Sequence, residues 1–456
     1  MKKYWVIVFS IVLMISCKKF LEAPSDKKLV IPSSISELQA LLNGYSALNN
    51  SYPVTAEILA DNYYVTTADW SSISNETIRN HYIWEKDENS GDWFRVYSRI
   101  KIANTVLDNL DIITFNPATE QSEFNALKGN ALFYRSFYLY AGTQLYSQPY
   151  DKATASSDLG MVLRMSADFN IQSVRSTVLE TYNQLLQDFK EAAALLPERT
   201  DLKTQPSKPA AYGMIAKTYL DMQEFDSAGR YADLCISLYG ADSLLNFNTD
   251  IDVAATAPFK RFNREVIFHC KNGASGLINN NRAKIDSVLY ASYHENDLRK
   301  YAYFRENSGA NSGTYQFKGD YDGSGTSTGY AFGGVVLDDI YLIRAECFAR
   351  KGMVGEALAD MNKLLESRWE IGAFVPYDAS NSEDALQLVL EERRKELLFR
   401  GTRWADMRRL MKEAGHAVTY RRIINNTIYE LPPNSSKYTL KIPIEVIETA
   451  GIPQNP

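Results

Sequence analysis

The sequence predicts a mostly α-helical fold, a scaffold of helical hairpins that carries long irregular loops. Two observations predict it. Residues 177 to 196 carry Val178, Tyr182, Leu185, Leu186, Phe189, Ala192, Ala193 and Leu196 at helical spacing, opened by a Thr177/Glu180 capping box and stopped by Pro197. Two later segments repeat one layout: Ala216, Tyr219 and Leu220 precede a short turn and Ala228, and Ala345, Phe348 and Ala349 precede a short turn and Ala357. Small residues twelve apart across a turn let two antiparallel helices approach closely.

The hairpins are expected at about 209–240 and 338–369, and their layout resembles the tetratricopeptide (TPR) helix pair. Further helical patterns begin near Ser36, with Leu38, Leu41 and Leu42, and run from Trp93 to Leu110 and from Glu123 to Tyr146. Residues 50 to 92 read as a polar, aromatic, irregular stretch, and a loop that long usually has a function. A second irregular stretch at about 241–336 separates the two hairpins. Its segment 308 to 334 is rich in Gly, Ser, Tyr and Asn, without the Lys-Ser/Thr or strand-to-helix frame of a phosphate cradle.

With 456 residues, 45% of them hydrophobic and 23% charged, the chain can bury a large core, and its formal net charge of −6 argues against a nucleic-acid binder. Lys2 and Lys3, an apolar run from Tyr4 to Ile15, then Ser16 and Cys17 form the layout of an export signal. The run is too short to span a bilayer, and a small residue before Cys resembles a bacterial lipobox. Residues 1–16 are therefore expected to be a lipoprotein signal peptide, Cys17 the acylated residue, 17–34 a spacer and 35–456 one helical domain. Two or three acyl chains anchor a soluble domain without a transmembrane helix. Cys235, Cys270 and Cys347 cannot all pair and are expected to be free thiols, buried in helical patterns at Cys235 and Cys347. No metal is expected. Asp87, Asn89 and Asp92 have partial calcium-loop character, but Gly91 lies one place early and the closing Glu is missing. The four His residues show no metal or nucleophile spacing, and no cofactor is implied.

The C-terminal third is specific. The run from Glu391 to Arg409, with Arg393, Arg394, Glu396, Phe399, Gly401, Arg403, Trp404 and Asp406 in order, resembles the signature of the SusD/RagB family of outer-membrane glycan-uptake lipoproteins. The ending, Tyr438 to Ile447 and Ile452-Pro453-Gln454-Asn455, is similar to that family's C-terminus, and Arg400 departs from it, since the family usually has Glu there. The resemblance implies a helical fold of about four TPR-like pairs with loops holding the ligand site. It implies oligosaccharide binding without chemistry, and a partner: a SusC-like TonB-dependent outer-membrane transporter, with lipid anchoring as the only membrane contact. Physically the signature reads as scaffold. A Ser380/Glu383 box starts a helix, Gly401 ends it, Thr402 caps the next, and Arg393, Arg394, Glu396, Arg403 and Asp406 are expected to pair across the corner.

A glycan site needs exposed aromatic faces beside polar groups. Two regions qualify: Asp61, Asn62, Tyr63, Tyr64, Asp69, Trp70, Tyr82 and Trp84, and, in the second irregular stretch, Tyr290, Tyr293, Tyr315 and Tyr321. The residues expected to bind are Asn62, Tyr64, Trp70, Trp84, Tyr315 and Tyr321, while Trp93, Trp369 and Trp404 are expected in the core. Two other classes compete with a glycan-binding surface subunit: a periplasmic TPR adaptor for peptides, and a glycoside hydrolase, which needs two facing carboxylates.

Overall fold

The structure, a computed structural model, describes residues 32, 34–89, 91–323 and 331–456. The signal peptide, Cys17, nearly all of the spacer and the 324–330 segment lie outside the described residues. Eight helices follow one another, each packed on the next: Gly91–Asn109, Pro117–Tyr146, Val178–Leu195, Lys208–Asp221, Phe225–Tyr239, Leu337–Arg350, Val354–Glu366 and Ser382–Glu396. The stack follows from the sequence at its seams. The Thr177/Glu180 box forms with both hydrogen bonds: Thr177 Oγ1 accepts from the Glu180 N–H at 3.2 Å and Glu180 accepts from the Thr177 N–H at 2.8 Å. Ala216, Ala228, Ala345 and Ala357 are all fully buried at the contacts of the two predicted hairpins.

Local departures have local causes. The Pro117–Tyr146 helix starts six residues before the predicted Glu123, because Asn116 caps it and Pro117 fits its first turn, whereas residues 117 to 122 are polar and show no stripe. The Ser382–Glu396 helix is capped by Asn381, which accepts from the Glu383 and Asp384 N–H groups, and not by Ser380. Thr402 stands at the start of the Arg403–Leu410 helix without a side-chain cap. The Ser382–Glu396 helix ends with Leu397 as its cap, and not at Gly401, which takes φ +72° in the turn that follows.

The 241–336 stretch is more structured than its composition suggests. Short antiparallel strands tie it inward: Lys284–Ile285 pairs with Tyr63–Tyr64, Val266–Phe268 with Val335–Val336, and Phe304–Glu306 with Tyr315–Phe317. Its rings make a second core, with Phe247, Phe259, Tyr293, Tyr303, Tyr321 and Phe332 buried beside Tyr63, Tyr82 and Phe399. The other stretch, 50 to 92, folds into short helices Thr55–Leu59, Thr67–Ser71 and Glu76–Tyr82 around the Tyr63–Tyr64 strand. Among the described residues Cys235, Cys270 and Cys347 are free and buried, and no helix is long and apolar enough to cross a membrane.

Candidate functional site

The signature corner reaches well beyond itself. Arg393 pairs with Asp406 at 3.0 Å, as its place in the corner predicts, and also with Asp339 at 2.6 Å. Glu396 turns to Arg368 and Arg299. Trp404 is buried and its indole N–H donates to the Gln144 carbonyl at 3.0 Å. Arg394 and Arg403 do not pair within the corner. Arg403 grips Asp61 with two hydrogen bonds, 2.6 and 2.9 Å, and Arg394 reaches the same carboxylate at 3.1 Å and Asp286 at 3.8 Å. Burial alone would raise the Asp61 carboxyl, but Arg403 and then Arg394 outweigh it and hold it well below the usual carboxylate range.

These residues form one wall of an open cleft of about 740 Å³, lined also by Tyr64, Val65, Trp84, Asp286, Val288, Tyr420, Arg421, Arg422 and Ile423. Its far side is a hairpin, Tyr420–Ile424 against Thr427–Leu431, turned at Asn425 and Asn426, which both take positive φ as a two-residue turn requires. The Asn425 N–H donates to Thr67 Oγ1 at 2.9 Å, fixing the hairpin tip to the aromatic stretch. Tyr64 is the aromatic ring that the wall presents outward, 38% exposed, with Val288, Val418 and Ile423 exposed around it.

Beneath the wall lies a stacked cation. The Arg422 guanidinium sits 4.0 Å from the Tyr82 ring centre and 4.3 Å from that of Trp84, and donates to the carbonyls of Ile58, Leu59, Ala60 and Tyr82. Another anchor comes from Phe399, at φ +53°, whose ring packs 5.9 Å from Tyr63 and 4.8 Å from Phe317. A bulky side chain at positive φ is strained, and it is held here because it wedges the corner between the Tyr63–Tyr64 strand, which borders the cleft, and the Tyr315–Phe317 strand. The neighbouring Gly401 N–H donates to Glu57, whose carboxyl is fully interior. Burial raises that carboxyl to about 7, with the Gly401 hydrogen bond opposing.

The structure divides the predicted glycan residues. Tyr64 faces the cleft. Trp84 touches its floor but is only 2% exposed, with Arg422 over its ring and its indole N–H donated to the Leu59 carbonyl at 2.9 Å, so its faces are taken. Asn62 is 1% exposed and its carbonyl accepts from Asp286, and Tyr321 is fully buried with its hydroxyl donating to Glu265 at 2.6 Å and Arg400 against its ring. These three are corrections: their composition suits a site, but the chain uses them beneath its loops. Trp70 is half-buried outside the cleft lining, under Arg79, with its N–H donated to the Arg79 carbonyl. Tyr315 is half-buried and stacks on Tyr290 with ring centres 3.5 Å apart, also outside the lining. Asp87 accepts from Thr77, Asn80 and Asn89, and Asp92 from Thr55 and Arg95.

The residues missed were Tyr420, Arg421 and Arg422. The signal was present as β-branched and aromatic residues on either side of Asn425-Asn426, although polar and apolar residues do not alternate there.

Comparison with known proteins bears on the whole arrangement. A family model described as "Starch-binding associating with outer membrane" matches residues 19–220, and one described as "SusD family" matches 337–443, together about two thirds of the chain. "SusD-like protein P2" of Formosa agariphila is 22% identical over 90% of this chain and 91% of its own. A SusD superfamily protein from Bacteroides thetaiotaomicron superposes with TM-score 0.76 at 20% identity, covering 93% of this chain and all of that one. A SusD-like carbohydrate binding protein from Bacteroides vulgatus gives 0.68 at 19%, covering 92% and 97%. The second model spans the corner whose arginines build the cleft wall, the first spans the Asp61–Tyr64 segment they hold, and by both matches the chain belongs to the SusD/RagB family.

Proposed function

We propose that the chain is a non-catalytic, lipid-anchored outer-membrane protein that binds oligosaccharide in the Tyr64 cleft and passes it to a SusC-like TonB-dependent transporter. The observation that carries this reading is an exposed ring on the wall of an open cleft whose shape is fixed by the family signature. Sugar CH faces stack on such a ring, while carboxylate, hydroxyl and guanidinium groups around it meet the sugar hydroxyls. The names of the matching models and relatives, which mention starch, carbohydrate and the outer membrane, support the same reading. Anchoring through Cys17 follows from the export pattern, and presentation at the cell exterior from the family resemblance.

The cleft chemistry favours binding over hydrolysis. A glycosidase needs one carboxyl that holds a proton near neutral pH. Asp61 is kept ionised by two arginines, and Asp286 accepts from the Leu289 N–H as the cap of the Ser287–Ala291 helix. Purified mature chain is expected to retard in gels containing its polysaccharide and to release no new reducing ends on incubation with it. Replacing Tyr64 with Ala removes the stacking face and is expected to weaken binding about tenfold, on the order of 1 kcal/mol, without lowering the unfolding midpoint. Isothermal titration checks this, and undiminished affinity would move the site elsewhere.

A further inference from the structure

The cleft has an unbalanced charge. Arg394, Arg403, Arg421 and Arg422 line it against two acids, Asp61 and Asp286, in a chain whose net charge is −6. The pairing leaves the excess where a ligand would lie. Arg403 takes both oxygens of Asp61, and Arg394 shares what remains, with its buried Nε making no hydrogen bond. Among the described residues Arg422 forms no ion pair. Although it is only 5% exposed, its charge is met by backbone carbonyls and the Tyr82 and Trp84 rings, without a carboxylate. Arg421 pairs with Glu430 at 2.8 Å, but the two side chains are 68% and 45% exposed, so the pair is weak and open to exchange.

Four guanidinium groups against the carboxylates of Asp61, Asp286 and Glu430 leave one positive charge in excess, for which neutral sugar hydroxyls have no use. An anionic substituent does, because a planar fork of donors matches the oxygens of a carboxylate or sulfate, and a cleft walled by protein focuses the field of its cations. We propose that the cleft selects acidic saccharides, bearing uronate carboxylates or sulfate esters, with Arg421 at the entrance and Arg394 deeper in as the groups that read the charge. This rests on the cleft being the oligosaccharide site.

The test uses the mature chain in affinity gels cast with neutral polysaccharides (starch, xylan, mannan), uronate polymers (pectin, alginate) and a sulfated galactan, followed by titration with fragments of whichever retards it. Retardation by one or both acidic classes beyond any neutral one is expected, and which acidic class acts tells carboxylate from sulfate. That binding should weaken several-fold between about 20 mM and about 300 mM NaCl, where the screening length falls from about 20 Å to about 6 Å. Arg421→Glu should weaken it about tenfold and Arg421→Lys much less, with unfolding midpoints unchanged. Equal or tighter binding of a neutral polymer that is sensitive to Tyr64→Ala overturns the charge selection and leaves the site reading standing. Retardation by none of them overturns both. Acidic binding insensitive to both Arg421→Glu and Tyr64→Ala places the anion outside this cleft and overturns the proposal.

Discussion

Replacing Glu396 with Ala is expected to cost about 3–5 kcal/mol of folding stability, the largest single loss among the charged residues of the corner. Glu396 is fully buried and accepts from Arg299 at 3.0 Å and from Arg368 at 2.8 Å, both of them also fully buried. Arg299 is shared with Asp297 and Glu392, and Arg368 with Glu265. Burial alone would raise the Glu396 carboxyl, but Arg368 and Arg299 outweigh it and bring it to about 2. Such a network gains little over a well-packed apolar cluster, yet removing Glu396 leaves its buried arginines one carboxylate short in the interior, and that uncompensated charge sets the size of the loss. Urea unfolding at neutral pH measures it. Glu396→Gln, which keeps the shape and one acceptor, should fall between wild type and Ala. A loss below about 1 kcal/mol for Ala would mean that solvent reaches these arginines. The effect matters beyond the helix, because Arg299 and Glu265 belong to the 241–336 stretch: Glu396 is the bolt between that stretch and the helical stack.

What the sequence made legible follows from range. The Val178–Leu195 helix could be read because its cap, stripe and stop lie within twenty-one residues, from Thr177 to Pro197. Ala216 with Ala228 and Ala345 with Ala357 were readable because a hairpin contact is local. The Arg393–Asp406 pair, thirteen residues apart across one turn, was still within reach. Arg403 and Asp61 are 342 residues apart, and no spacing rule connects them, so two arginines assigned to the scaffold proved to form the cleft wall as well. Aromatics failed for a different reason. Composition cannot tell a ring above a loop from a ring beneath it: Tyr63 and Tyr64 are adjacent, yet the strand alternates and leaves them 3% and 38% exposed. Tyr321 fell on the wrong side of that choice because Arg400, at the position where the family usually carries Glu, covers its face.

Glu57 and Asp61, four residues apart, should give pH profiles of opposite sign. The Glu57 carboxyl sits at about 7 in the fold against 4.5 in the unfolded chain, so the fold keeps a proton that the unfolded chain has lost. The stabilisation that Glu57 contributes therefore falls as pH rises from about 4.5 to about 7, and levels off above. Glu57→Gln removes that contribution. Its amide can still accept from the Gly401 N–H, but its new NH₂ group replaces an oxygen that has no partner, a cost that applies at every pH. The readable quantity is thus the change with pH: relative to wild type, Gln should gain up to about 3 kcal/mol between pH 4.5 and 8. Asp61 behaves in reverse. Its folded value lies well below the ordinary 3.8, so its stabilisation is complete above that value and is lost as pH falls through the folded one. With 15% of the Asp61 side chain exposed, some of the field is screened, and Asp61→Asn should lose about 2 kcal/mol at pH 7, a deficit that narrows below pH 4. Urea unfolding of the three proteins from pH 3 to pH 8 checks both signs. Parallel curves for wild type and Glu57→Gln would mean that the Glu57 carboxyl is solvated, and would remove the tight seam between the Thr55–Leu59 helix and Gly401 on which the placement of Asp61 and Tyr64 in the cleft depends.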